Sequence, residues 1–308
     1  MLEIYQQTIE KPLSFKGVGL HNGKKTKITI FPGKEDQGII FKRTDLKNDN
    51  EILASYKNVT SAKLSTTLAN EKGVKVSTVE HLLASLYLAE IDNAIIEVDN
   101  EEIPIMDGSA KDFLNSLKKT KIKRLNKKRK YLRVTERVAH NFGEKKISIE
   151  PNGSSFEVNF QLNYKNKIIG KQSNIVNFQK DDLKNVCESR TFCLFEDIEN
   201  IKKMGLAKGG SLENAIVVDD DKILNKDGLR NEKEFVNHKI LDLAGDFLLS
   251  GFRVLGKVEC QQGGHELTNK FLRKLFKSKS SFVCSELEDI IITKKVSSNQ
   301  PLRVAVNA

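Results

Sequence analysis

Apolar residues recur at helical spacing in four stretches of this 308-residue chain, at about 78–89, 109–118, 232–250 and 266–277. In the third, Phe235, Leu241, Ala244, Leu248 and Leu249 mark a side that faces a core. Alternating apolar and polar positions predict strands at about 93–99 and 252–260. Two longer segments alternate in the same way. NGKKTKITIFPGKEDQGIIFKR (22–43) reads as two strands around a Pro-Gly turn. FGEKKISIEPNGSSFEVNFQL (142–162) reads as two strands joined through Asn152-Gly153, a strong hairpin signal.

The two halves of the chain share an order: two strands, then helix, strand, helix. The interval from His81 to Gly108 equals that from His238 to His265, and superposing the halves in this register places His81 on His238. An internal duplication would then bring two equivalent helices together, each with one histidine. The expected class is α+β, as two similar two-layer α/β sandwich domains packed face to face, residues 1–122 and 123–308. The basic run KKTKIKRLNKKRK (118–130) breaks the apolar periodicity and is expected to end a helix and link the halves. The second half has an extra stretch, about 191–224. Its helical piece, Gly209-Gly210 turn and strand-like NAIVVDD predict a βαβ insert, a plausible substrate-binding element.

Chemistry concentrates on the same helices. His238, Asp242 and Asp246 stand at successive i+4 steps and so share one helix face. A His and a carboxylate four apart beside a buried surface form half of a catalytic metal site, although such a stripe can also be a solvated face. Glu80-His81, at a predicted helix start, is the best candidate for the other half: one residue ligating, the other holding a proton near bound water. Ser77-x-x-Glu80 also reads as a capping box, which would leave Glu80 a purely local role. His265 follows Gln261-Gln262-Gly263-Gly264, and pairing with Asp246 would hold its imidazole positively charged. The chain has five histidines; a fourth of interest, His21, lies in the glycine-rich turn GVGLHNG.

Composition, 39% hydrophobic and 30% charged, fits a globular domain. Residues 1–20 lack a continuous apolar core and no stretch approaches the roughly 20 apolar residues of a spanning helix. Cys187, Cys193, Cys260 and Cys284 show no CxxC pairing and are expected as free thiols in the cytoplasm. The net charge of +10 fits either solvated lysine-rich faces or an anionic partner, whether nucleic acid, membrane surface or phosphorylated substrate. With no Trp and few aromatics among the basic runs, a base-stacking surface is disfavoured.

Together these segments resemble the UDP-3-O-acyl-N-acetylglucosamine deacetylases, zinc amidases of lipid A biosynthesis. The resemblance is carried by GVGLHNGKK (17–25), STVEHLLASL (77–86), IDNAIIEVDNEEIPIMDGSA (91–110), SRTF (189–192), residues 209–246 and GGHELTNKFL (263–272). It implies one Zn2+ per chain on His81, His238 and Asp242, with water in the fourth position. It implies Glu80 as general base and His265, oriented by Asp246, as the protonated group at the leaving amine. Thr191 and Lys239 would polarise the carbonyl and bind substrate. Phe192 and Gly210 would border the cleft, His21 would join the substrate contacts, and the insert would form a passage for the acyl chain. A His2Asp set with open positions suits Fe2+ as well. The expected partner is a UDP-sugar bearing an acyl chain, bound by a monomer without nucleic acid or stable membrane insertion, with transient membrane-surface contact. The chain departs from the pattern at Lys63, Cys193 and Leu194, positions that bear on acyl-chain fit.

Overall fold

The computed structural model describes residues 2–287. The first half builds a five-stranded sheet in the spatial order Leu13–Val18, Lys25–Pro32, Ala94–Val98, Ile39–Arg43 and Glu51–Leu53. Two helices accompany it, α1 (Glu80–Leu88) and α2 (Lys111–Lys119). The second half builds a seven-stranded sheet that contains Val138–Phe142, Lys145–Glu150, Arg253–Gln261, Phe156–Asn163 and Lys171–Asn177. Its helices are α3 (Lys184–Glu188), α4 (Phe195–Lys203), α5 (Glu234–Leu248) and α6 (His265–Lys277).

The duplicated order is a duplicated topology. In the first half Ala94–Val98 runs antiparallel to Lys25–Pro32 and parallel to Ile39–Arg43. In the second, Arg253–Gln261 runs antiparallel to Lys145–Glu150 and parallel to Phe156–Asn163. Each central strand follows its helix and inserts between two strands that are neighbours in sequence. The expected Asn152-Gly153 hairpin is therefore absent: Lys145–Glu150 and Phe156–Asn163 flank Arg253–Gln261 instead of pairing. The turn residues fix a local reversal only. The burial of Val254, Leu255, Val258 and Cys260 decides which strand lies between.

The basic run is not a plain linker either. After α2 ends at Lys119, Ile122–Lys128 is a strand paired antiparallel with Tyr5–Ile9. The insert is a βαβ unit as expected: Phe192–Leu194, then α4, then Ile216–Asp219 parallel to the first strand.

Helix α5 lies on the second sheet and packs against α1. Residues 80–87 of α1 are all buried, and α5 is buried except at Lys239. Such helices cannot sort residues by an apolar stripe, so each polar group they carry needs a partner inside the protein. The close approach depends on Gly245. A Cβ there would stand 2.2 Å from the Glu80 carbonyl oxygen, so α5 can meet the first turn of α1 only because that side chain is missing.

Candidate active site

The contact between α1 and α5 gathers five of the expected residues. His81 Nε2 lies 3.5 Å from Asp242 Oδ1, and His238 Nε2 lies 3.4 Å from the same oxygen. These spacings match the edge of a tetrahedron whose ligands sit about 2.1 Å from a central ion, about 3.4 Å. His81, His238 and Asp242 are all buried, and their ligand atoms fall within 4.8 Å of one another.

Three features suit this trio to a metal. Asp242 Oδ1 is buried without a hydrogen-bond partner, an unfavourable state that a cation shared with His81 Nε2 and His238 Nε2 would relieve. Burial drives the His238 imidazole down to about 3, against the pull of Asp242, so the ring is neutral and offers a lone pair. Its Nδ1 faces the Ser189 carbonyl at 3.0 Å, which fixes the Nδ1–H tautomer and leaves Nε2 for the ion. Burial alone would raise the Asp242 carboxyl. The imidazoles and Lys239 outweigh it and hold the group well below the usual carboxylate range.

One turn along α5, Asp246 organises a second pair. Its Oδ2 lies 2.8 Å from His265 Nδ1, at the first residue of α6. His265 Nε2 faces Glu80 Oε1 at 3.7 Å and Asp242 Oδ2 at 3.9 Å. Burial would lower this imidazole, but Asp246, with Glu80 behind it, pushes it up to about 10. At that value the ring carries its proton at neutral pH. Burial raises the Glu80 carboxyl, opposed by the positive field of His265. A carboxyl tuned upward beside a fixed acid is a general-base arrangement.

The capping-box role for Glu80 is not realised. Val79 is the N-cap and makes no side-chain cap bond, while the Ser77 hydroxyl donates to the Glu101 carbonyl. Glu80 Oε2 instead accepts from the Thr66 amide at 3.0 Å. The Thr66 hydroxyl donates to Asp246 Oδ1 at 2.7 Å, so one buried threonine holds both carboxylates. Periodicity gave no sign of Thr66; its one mark is the polar run Ser65-Thr66-Thr67.

The remaining candidates lie around this centre. Lys239 Nζ donates to Asp242 Oδ2 at 2.8 Å and sits 5.5 Å from the Phe192 ring centre. Phe192 packs edge-on to Phe235 and His238. Thr191 is held through its backbone: its amide donates to Gly108 and its carbonyl accepts from Ile216. Gly210 belongs to the loop whose residues Lys208 and Gly209 donate to the carbonyls of His21 and Leu20. His21 has both ring nitrogens buried and unpartnered, and burial lowers its imidazole while Glu102 opposes the shift. The buried Glu102 carboxylate, which sequence reasoning did not single out, accepts from the His21 and Asn22 amides and from Thr78. All four cysteines are free thiols, and Cys193 lies next to Phe192.

The profile of the UDP-3-O-acyl N-acetylglycosamine deacetylase family matches residues 6–277. Among curated relatives, one from Saccharophagus degradans (strain 2-40 / ATCC 43961 / DSM 17024) is 42% identical over 289 residues, 93% of this chain and 95% of the relative. One from Syntrophus aciditrophicus (strain SB) is 40% identical over 279 residues, covering 90% and 88%. One from Geotalea uraniireducens (strain Rf4) is 39% identical over 284 residues, covering 92% of each. All three are named UDP-3-O-acyl-N-acetylglucosamine deacetylase. A match across the two helices, the insert and the His-His-Asp cluster leaves one assignment: the chain belongs to the UDP-3-O-acyl N-acetylglycosamine deacetylase family.

Proposed function

We propose that this protein hydrolyses the N-acetyl group of UDP-3-O-acyl-N-acetylglucosamine, releasing acetate and the free amine for lipid A biosynthesis. The observation that carries the reading is the opposed pair Glu80 and His265, 3.7 Å apart beside the His81–His238–Asp242 cluster. A carboxyl raised by burial and an imidazole held protonated are the base and acid that amide hydrolysis needs. Zn2+ on His81, His238 and Asp242, with Fe2+ as the alternative, supplies Lewis acidity toward the amide carbonyl and the attacking water.

Glu80 takes the proton of the water as it attacks. Thr191 donates to the oxygen that becomes negative. His265, steadied by Asp246, gives its proton to the departing nitrogen. Lys239 stays charged, because Asp242 outweighs the burial that would lower it, and it attracts the anionic substrate. Phe192, Gly210 and His21 complete the cleft, and the 191–224 insert houses the acyl chain.

The enzyme acts as a cytoplasmic monomer of two domains, 1–122 and 123–308, touching the membrane surface only transiently. Among the described residues no helix is long and apolar enough to cross a membrane. The test is acetate release from the acylated UDP-sugar before chelation, after it, and after zinc or ferrous iron is returned. Activity lost to the chelator and regained with one metal supports the reading and names the metal. A folded, metal-loaded protein that releases no acetate overturns it.

A further inference from the structure

The segment Ser189–Phe192 reaches the centre through its first and last residues, and the backbone bonds of Thr191 to Gly108 and Ile216 hold only one side of it. Ser189 offers its carbonyl to His238 Nδ1. Thr191 follows two residues later, and Phe192 packs on His238 and under Lys239. Between them lies Arg190, a buried side chain that points away from the proposed reaction. Its partner is Glu234, in the first turn of α5 and fully buried.

One carboxylate gathers four donors. Glu234 Oε1 accepts from the Arg190 amide at 3.1 Å and from Arg190 Nε at 2.8 Å. Oε2 accepts from Arg190 Nη2 at 3.1 Å and from the Arg230 amide at 2.6 Å. Arg190 Nη2 also donates to the Gly228 carbonyl at 2.7 Å. The Arg230 side chain then reaches Asp107 of the first half at 2.8 Å and the Glu188 carbonyl at 2.8 Å. Glu234 thus ties three pieces of chain together: the start of α5, the loop before it, and the segment that supplies Ser189 and Thr191.

We infer that Glu234 and Arg190 are a positioning clamp for the proposed centre, setting the Ser189 carbonyl against His238 and the Thr191 hydroxyl at the cleft. A two-point guanidinium–carboxylate fork fixes orientation as well as distance, which a single buried charge pair does not. Glu234 stands one turn before His238 on the same helix, so the clamp and the ligand move as one rigid piece. Neither clamp residue touches the reacting atoms; both act through Ser189 and Thr191. The role of Thr191 rests on the proposed function, whereas the effect on His238 does not.

The test uses the full-length, metal-loaded chain with Arg190→Lys and Glu234→Gln. Arg190→Lys keeps the buried charge but loses the fork, and is the milder of the two changes. Three quantities are read where each variant is fully folded: zinc affinity by chelator competition, kcat against KM, and the melting temperature. Outer partners of metal-bound histidines are worth roughly 10–100-fold in affinity or activity. The expected result for Arg190→Lys is a loss of about tenfold in zinc affinity and in kcat, with KM nearly unchanged. A folded Arg190→Lys protein with parental zinc affinity and kcat, and only a lower melting point, overturns the clamp. If the parent itself releases no acetate, the proposed function fails while the zinc-affinity comparison still decides the clamp.

Discussion

Helix α5 carries two aspartates one turn apart, Asp242 beside its own His238 and Asp246 beside His265 of α6, and the two imidazoles end in opposite charge states. His238 beside Asp242 is driven down to about 3, while His265 beside Asp246 is pushed up to about 10. Both imidazoles are buried, so depth does not separate them. The difference is how each carboxylate is shared. Asp242 divides its charge among two imidazoles and Lys239, whose ammonium adds a positive field at His238. Asp246 directs one oxygen to His265 alone, and Glu80 adds a second negative charge on the far side. A neutral imidazole can ligate a metal and a charged one can deliver a proton. The aspartates of one helix support both states, and the neighbours, not the residue types, make the difference.

The sharpest way to break this comparison is to remove what the first pair is for. Chelation should abolish acetate release in the parent, and zinc should restore it. His238→Ala should give an inactive protein that zinc does not rescue, with metal content near zero by elemental analysis. Retained stoichiometric metal in that variant would remove His238 from the ligand set. Next in size is Glu80→Gln, which should lower kcat by about 10²–10⁴ while metal content stays parental. Loss of metal there would assign Glu80 to ligation.

The second pair is probed by pH. His265 has a folded value of about 10, above its ordinary 6.5. Its protonated form therefore stabilises the fold fully below about pH 6.5, and that stabilisation is lost as the pH rises toward 10. In metal-free protein, Asp246→Asn should flatten the fall in melting temperature between pH 7 and 10. In the loaded enzyme it should move the alkaline limb of kcat toward neutrality. An unmoved limb would show that the limb does not report His265. The smallest effect is expected from Thr66→Val, which keeps the amide bond to Glu80 but removes the 2.7 Å hydroxyl bond to Asp246. Losing one buried bond to a charged group, worth about 1.5–3 kcal/mol, should cost about tenfold to a hundredfold in kcat if it steadies only the active geometry. Parental kinetics would make Thr66 a packing residue.

The positions of α1, α2, α5 and α6 were legible to within about two residues, because Ala- and Leu-rich runs such as EHLLASLYL specify helix locally, whereas the short α3 was not foreseen. The i+4 ladder His238–Asp242–Asp246 was legible for the same reason: helical spacing alone puts the three on one face. Strand pairing was not. Asn152-Gly153 promises a hairpin, but the strand that separates its two flanking strands, Arg253–Gln261, comes from about a hundred residues away. The basic run 118–130 hid a strand because its partner, Tyr5–Ile9, lies at the other end of the half.

By itself the sequence determined which side chains were available and how they were spaced on each helix, including the duplication that repeats a histidine at one register. Only the tertiary structure decided that α1 meets α5 at Gly245, that Thr66 reaches both Glu80 and Asp246, and that Ser189 closes on His238. Those are contacts between segments far apart in the chain. Their strength comes from burial, and burial is a property of the packed molecule, not of any stretch of residues.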